Sequence, residues 1–177
     1  MSTTTVDDEL AGLRRRIGRL EALAEAGATA ETSRIRRHVD ALHYVEASVV
    51  AAARQAPDEV DGRLGQLKAR LAAAEHAVVA DVADKWPTFA WAVEEELRSW
   101  DTYLERLQAS VAAKAWKARE QAEASIGDVR SRRIAVDERL AQARDASDGA
   151  SDAARRRVTA AREELEQKAD ELAAKLK

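Results

Sequence analysis

Residues 57–82 read PDEVDGRLGQLKARLAAAEHAVVADV, and this stretch decides the fold. Val60, Leu64, Leu67, Leu71, Ala74, Val78 and Val82 recur at spacings of four and three residues. Such spacing lines up apolar side chains along one side of an α-helix, whereas a half-buried strand alternates by two. Pro57 and Asp58 suit a first turn: proline gives up an N–H that has no helical partner there, and a carboxylate favours the positive end of the helix dipole. Pro87, after Trp86, is expected to stop the segment, because its ring removes a backbone donor and restricts the residue before it.

The same pattern extends in both directions. Val6, Leu10, Leu13, Ile17 and Leu20 form a seam over about Thr5 to Ala26, with Thr5 and Asp8 in capping-box spacing and Gly27 and Thr29 interrupting it. Ile35, Val39, Leu42, Val49 and Ala53, widened by Val45 and Val50, form the next, from about Glu31 to Gln55. A fourth helix is expected from near Thr88, with Val93, Leu97, Trp100, Leu104, Leu107 and Val111 on its seam. That seam thins to Ala115, Ala118 and Ala122, and Ser125–Asp128, with Gly127, is the weakest point. Whether the helix breaks there or runs on towards Arg144 is left open by the sequence. Val129, Arg133, Val136, Leu140 and Ala143 follow; Ser147–Ser151 with Gly149 reads as a turn. Val158, Leu165, Ala169, Leu172 and Leu176 mark the last helix.

The expected fold is therefore all-α: an antiparallel up-and-down helical bundle or set of coiled-coil hairpins, with five or six helices. A bundle over residues 1–125 and a hairpin over 126–177, packed on it or extending from it, is one division; a single domain is the equal alternative. Folding about Asp148 brings Arg130, Arg132 and Arg133 beside Glu163, Glu164 and Glu166. It also brings Asp137 and Glu138 towards Arg156, Arg157 and Arg162. Folding about Gly27 brings Glu21 near Arg36 and Asp40 near Arg16.

Composition narrows function by exclusion. With no cysteine, disulfides and thiolate metal sites are ruled out. Met1–Leu10 is polar and acidic, without the features of a signal peptide, so a cytoplasmic location is expected. No stretch reaches the ~20 apolar residues of a membrane span. A net charge of −3 argues against nucleic acid as a partner. Residues 58–105 hold eleven acids and five bases, residues 106–177 sixteen bases and thirteen acids, so the charge is unevenly shared.

Chemistry-bearing motifs are missing. No nucleophile elbow or glycine-rich phosphate loop is present. Asp40 and His43 have the spacing used in carboxylate-bridged di-metal bundles. Those need Glu-x-x-His twice and two further glutamates, and the residue three before His76 is Ala73. No catalytic, cofactor or metal site is expected, and His38, His43 and His76 read as partly exposed helix-surface residues. The acids read as a solvated face.

The aromatic residues are the most distinctive feature. Trp100 lies on the seam. Trp86, Phe89, Trp91 and Trp116 are the candidate partner surface, with large side chains filling a wide core as the competing reading. Trp86 and Phe89 also flank Pro87 and suit a staple of that turn.

The function expected is non-enzymatic: a helical bundle or coiled coil acting by protein–protein interaction or self-association. The alternative is an amphipathic-helix protein coating a lipid or storage-granule surface. Proline-separated amphipathic helices resemble, in architecture only, exchangeable apolipoproteins and phasin-like granule proteins. The narrow alanine-rich stripes fit that alternative poorly, since interfacial helices carry broad faces of Trp, Phe and Leu.

Overall fold

The computed structural model describes residues 3–26, 30–112, 116–145 and 152–175. Six α-helices account for nearly all of them: α1 (Thr3–Glu25), α2 (Ala30–Gln55), α3 (Val60–Asp81), α4 (Trp86–Ala112), α5 (Trp116–Asp145) and α6 (Asp152–Lys175). There is no strand among the described residues, and the helices pack on one another as an all-α bundle. The turns expected at Gly27 and at Ser147–Ser151, with Ala115 and Leu176, lie outside the described residues.

Most seams are buried as spaced. Val6, Leu10, Leu13, Ile17 and Leu20 of α1 close against Ile35, Val39, Leu42, Val45 and Val49 of α2 and Val60, Leu64, Leu67, Leu71 and Ala74 of α3. A second apolar cluster joins Val93, Leu97, Trp100, Leu104 and Leu107 of α4 with Val129, Val136 and Leu140 of α5 and Val158, Leu165 and Leu172 of α6. The two clusters meet at α3, whose Ala69, Ala73 and Ala80 belong to the second. Alanine on that stripe brings the α4 backbone close. Gly65 leaves room for an α4 side chain: a Cβ there would stand 3.3 Å from the Arg106 side chain.

Several boundaries differ from the sequence reading. Thr5 is not a cap, since α1 is already helical from Thr3. Ala52, not Ala53, is the buried alanine at the end of the α2 seam. A 3-10 turn, Pro57–Glu59, leads into α3. Pro87 does not end α3; the helix ends at Asp81, and Val82, counted as a seam residue, is 67% exposed. Pro87 is instead the second residue of α4, where a proline without N–H costs nothing.

Ser125–Asp128 does not break the chain: α5 runs unbroken from Trp116 to Asp145, held by buried Ala122, Ile126 and Val129. Nor does one helix span Thr88 to Arg144. Arg144 pairs with Glu94 at 2.7 Å and Arg133 with Asp101 at 2.8 Å, so α4 and α5 lie side by side in opposite directions.

The charge tests of register give a mixed outcome. Arg132 meets Glu164 at 2.6 Å, as folding about Asp148 requires. Arg130 and Arg133 turn to α4 instead, bonding Gln108 and Asp101, and Arg162 points into the core. The α1–α2 pairs are Glu21 with His43 and Arg14 with Glu46, each at 2.6 Å. Arg16 reaches Glu75 of α3, not Asp40. Helix 1 therefore sits a few residues further along α2 than a fold at Gly27 implied.

Candidate functional site

Where α2, α3, α4 and α6 converge, charged groups are buried in the bundle. Arg162 of α6 has no exposed surface. It donates from Nε to Glu96 of α4 at 2.7 Å, from Nη1 to Asp81 of α3 at 2.9 Å, and from Nη2 to the Ala77 carbonyl at 3.2 Å. Arg34 of α2 donates from Nη2 to Glu166 of α6 at 2.5 Å and from Nη1 to Asp81 at 3.0 Å. Arg70 of α3 reaches Asp170 of α6 at 2.7 Å and lies 4.1 Å above the Trp100 ring. The Trp100 indole N–H points back to Glu96 at 3.4 Å. Three arginines thus face four carboxylates, drawn from four helices.

Each position follows from helix geometry. Arg162 falls between Val158 and Leu165 at spacings of four and three, so it occupies a seam position. Glu96 stands four residues before Trp100, on the same side of α4. Carrying charge into a dry interior is costly unless every ion is paired and hydrogen-bonded. Arg34 and Arg162 meet that condition, each planar fork serving more than one acceptor, while Arg70 is paired through Nη2 and its Nη1 has no hydrogen-bond partner among the described residues.

Electrostatics follow the same contacts. Burial opposes ionisation of Glu166, but the hydrogen bonds and charge of Arg34 and the charge of Arg162, joined by His38 only when that ring is protonated, outweigh it and hold the carboxyl below the usual carboxylate range. Glu96 is pushed up, chiefly by complete burial and partly by Glu166, with Arg162 and Arg34 opposing. Burial works against the Arg34 charge, yet the hydrogen bonds and attraction of Glu166, with Asp81 and Glu96, raise its pKa.

His38 of α2 is a correction to the surface-histidine expectation: it is 4% exposed. Its Nε2 stands 3.6 Å from Glu166 and makes no hydrogen bond among the described residues. Burial pushes its pKa down to about 3; Glu166 opposes this, while Arg70, Arg34 and Arg162 add to it. His38 is therefore neutral at ordinary pH. Nor are Glu96 and Glu166 part of a solvated face, as the acids were expected to be.

The other histidines lie elsewhere. His43 is half exposed between Glu21 and Glu46, whose contacts raise its pKa, Glu21 first. Asp40 does not join it. His76 stands edge-on to Trp91 at 5.7 Å. Among the described residues no group of three or more His, Asp or Glu is arranged to hold a metal ion.

The four aromatic residues named as a partner surface separate. Phe89 is a core residue, not a surface one, and packs 5.5 Å from the partly buried Trp86 beside Pro87. That is the staple the spacing suggested. Trp91 is 49% exposed and Trp116 71% exposed. Sequence spacing did not single out Ile134, 52% exposed on α5, nor Leu23 and Val79, and it placed the exposed Val82 on a seam. The ion pairs Glu9–Lys68 and Arg16–Glu75 set α1 parallel to α3 in one constant register, so Leu23 and Val82 lie towards the same end of the bundle. Trp91 and Val79 flank that end of the bundle, while Trp116 and Ile134 lie on α5.

Compared with known proteins, the chain matches no family, no curated protein and no solved structure.

Two outcomes test the network. Arg162→Met, which strands Glu96 and Asp81, is expected to cost about 3–5 kcal/mol in urea unfolding, and Arg162→Met with Glu96→Leu to recover most of it. Equal losses in both would contradict the pairing. For His38, the folded pKa lies below the unfolded one. Its neutral form is matched to the native state above about pH 6.5, and stability is lost as pH falls from there towards 3. Wild type should lose stability relative to His38→Leu over that window, at a slope approaching about 1.4 kcal/mol per pH unit. Parallel pH profiles would show that His38 is not buried uncharged.

Proposed function

We propose that the chain acts by protein–protein association, with itself or with another protein, and not by catalysis. What supports this reading is the distribution of its apolar side chains. The heptad seams are used up inside the bundle, while Trp116, Trp91 and Ile134 remain outside on helix surfaces. Large aromatic side chains on an otherwise charged exterior are the usual anchors of protein interfaces, because they bury much area at small entropic cost.

The buried charges favour the same reading. An acid–base catalyst needs a proton acceptor or donor within reach of substrate. Here Glu96, Glu166 and Asp81 are each engaged by arginine and have little exposed surface. Such a network suits a scaffold that must hold one arrangement of helices.

Coating a lipid surface would require the bundle to open, since the apolar faces are turned inward. No helix of the described residues is long and apolar enough to cross a membrane.

Sedimentation over a concentration series, with helicity followed in parallel and repeated with anionic vesicles, tests the reading. Helicity should stay constant on dilution and with vesicles, while the sedimentation coefficient rises with concentration or with an added protein partner. Flotation with vesicles, together with changed helicity or tryptophan emission, would overturn it in favour of a surface coat.

A further inference from the structure

The outward face of α5 carries an order that the internal fold uses at two points only among the described residues: Arg130 reaches Gln108 of α4, and Glu123 pairs with Arg119 of the same helix at 3.6 Å. Trp116, Glu120, Glu123, Gly127, Arg130 and Ile134 are all exposed and recur at spacings of four, three, four, three and four. This is a second heptad stripe, well away from the buried Ala122, Ile126, Val129, Val136 and Leu140 of the same helix. The two large apolar side chains of this stripe, Trp116 and Ile134, stand exposed at its ends, with charged residues and one glycine between them.

The stripe is symmetric about position 125. Under a two-fold axis there, an antiparallel second copy of α5 sets Trp116 opposite Ile134, Glu120 opposite Arg130, and Glu123 opposite Gly127. Apolar meets apolar at both ends, acid meets base inside them, and the residue with least bulk faces the remaining glutamate at the centre. A same-sign clash occurs at none of these pairs. An isologous interface has to be self-complementary in this way.

Gly127 adds an independent observation. In a helix interior glycine costs about 1 kcal/mol relative to alanine. Nothing in the fold asks for it, since an added Cβ would meet no atom within 4 Å. A close approach of a second helix supplies a reason. Arg130 is also available for pairing: its contact within the chain is to Gln108, a neutral side chain. The Trp116 ring is flanked by Arg119 at 5.0 Å, a cation–π arrangement that keeps one side of the indole for a partner.

We infer that two copies of this chain associate through antiparallel pairing of their α5 outer faces, with Trp116, Glu120, Arg130 and Ile134 as the matched contacts. The paired stripe runs from 116 to 134, about 27 Å of helix. This inference rests on the association reading above and names its partner as a second copy.

Charge exchange tests it in the full-length chain. Wild type should show a monomer–dimer equilibrium by sedimentation. Glu120→Arg and Arg130→Glu should each weaken the dimer by about tenfold or more, because each places like charges at two symmetry-related sites. The double variant Glu120→Arg with Arg130→Glu should restore it. Trp116→Ala should weaken it without recovery by either exchange. Helicity, which should be the same in all four variants, separates loss of pairing from loss of fold. A dimer indifferent to the single exchanges, or not restored by the double one, would overturn the α5 pairing while leaving association intact. A chain that stays monomeric at every concentration would overturn it too, and would leave association with another protein as the remaining form of the broader reading.

Discussion

Arg162 brings a full positive charge into a space from which water is excluded, and the arrangement of the helices around it follows from that fact. A guanidinium there needs carboxylates on more than one side, and they come from α3 and α4. Asp81 in turn accepts from Arg34 of α2, and Arg34 clamps Glu166 of α6. The chain of contacts is closed on four helices, so sliding any one of them would strand a buried charge. Apolar seams alone are forgiving of register, because one alanine or leucine layer resembles the next. Buried ionic networks are weak evidence for added stability, and their better-attested use is to specify a register.

The network also lies where specification is most needed. The first apolar cluster is built from α1, α2 and α3, the second from α3 to α6. Helix α3 serves both by carrying leucines on one stripe and alanines on another. Between α2 and α6 the link is made by Arg34 and His38, which face Glu166. Without it, the two clusters would share only one helix. This division leaves Trp116 and Ile134 of α5 outside both clusters.

Much of the fold was legible from spacing. Among the described residues, the seams of α1, of α4 from Val93 to Val111 and of α6 from Val158 to Leu172 are buried at the positions their heptads marked. What the heptads did not give were the edges. Val82 continues the period of α3 but lies beyond its last turn, and Pro87 reads as a stop although proline is equally at home in a first turn. Gly127 looked like a break, yet the buried Ile126 beside it keeps α5 continuous. The ionic network was missed because arginine and glutamate are ordinarily surface residues. One signal did stand in the sequence: the gap between Val158 and Leu165 is filled, in phase, by Arg162. A charged residue in phase with a core seam implies a buried partner. His38 gave no comparable signal, since its burial depends on α6 packing across α2.

Native-state hydrogen exchange tests most directly whether the network joins the two clusters into one cooperative unit. The account predicts that amides of α6 from Val158 to Leu172 exchange only with global unfolding, at the same free energy as those of α3 from Leu64 to Ala74. Exchange of α6 through a separate, lower-energy opening, with α3 still protected, would contradict it.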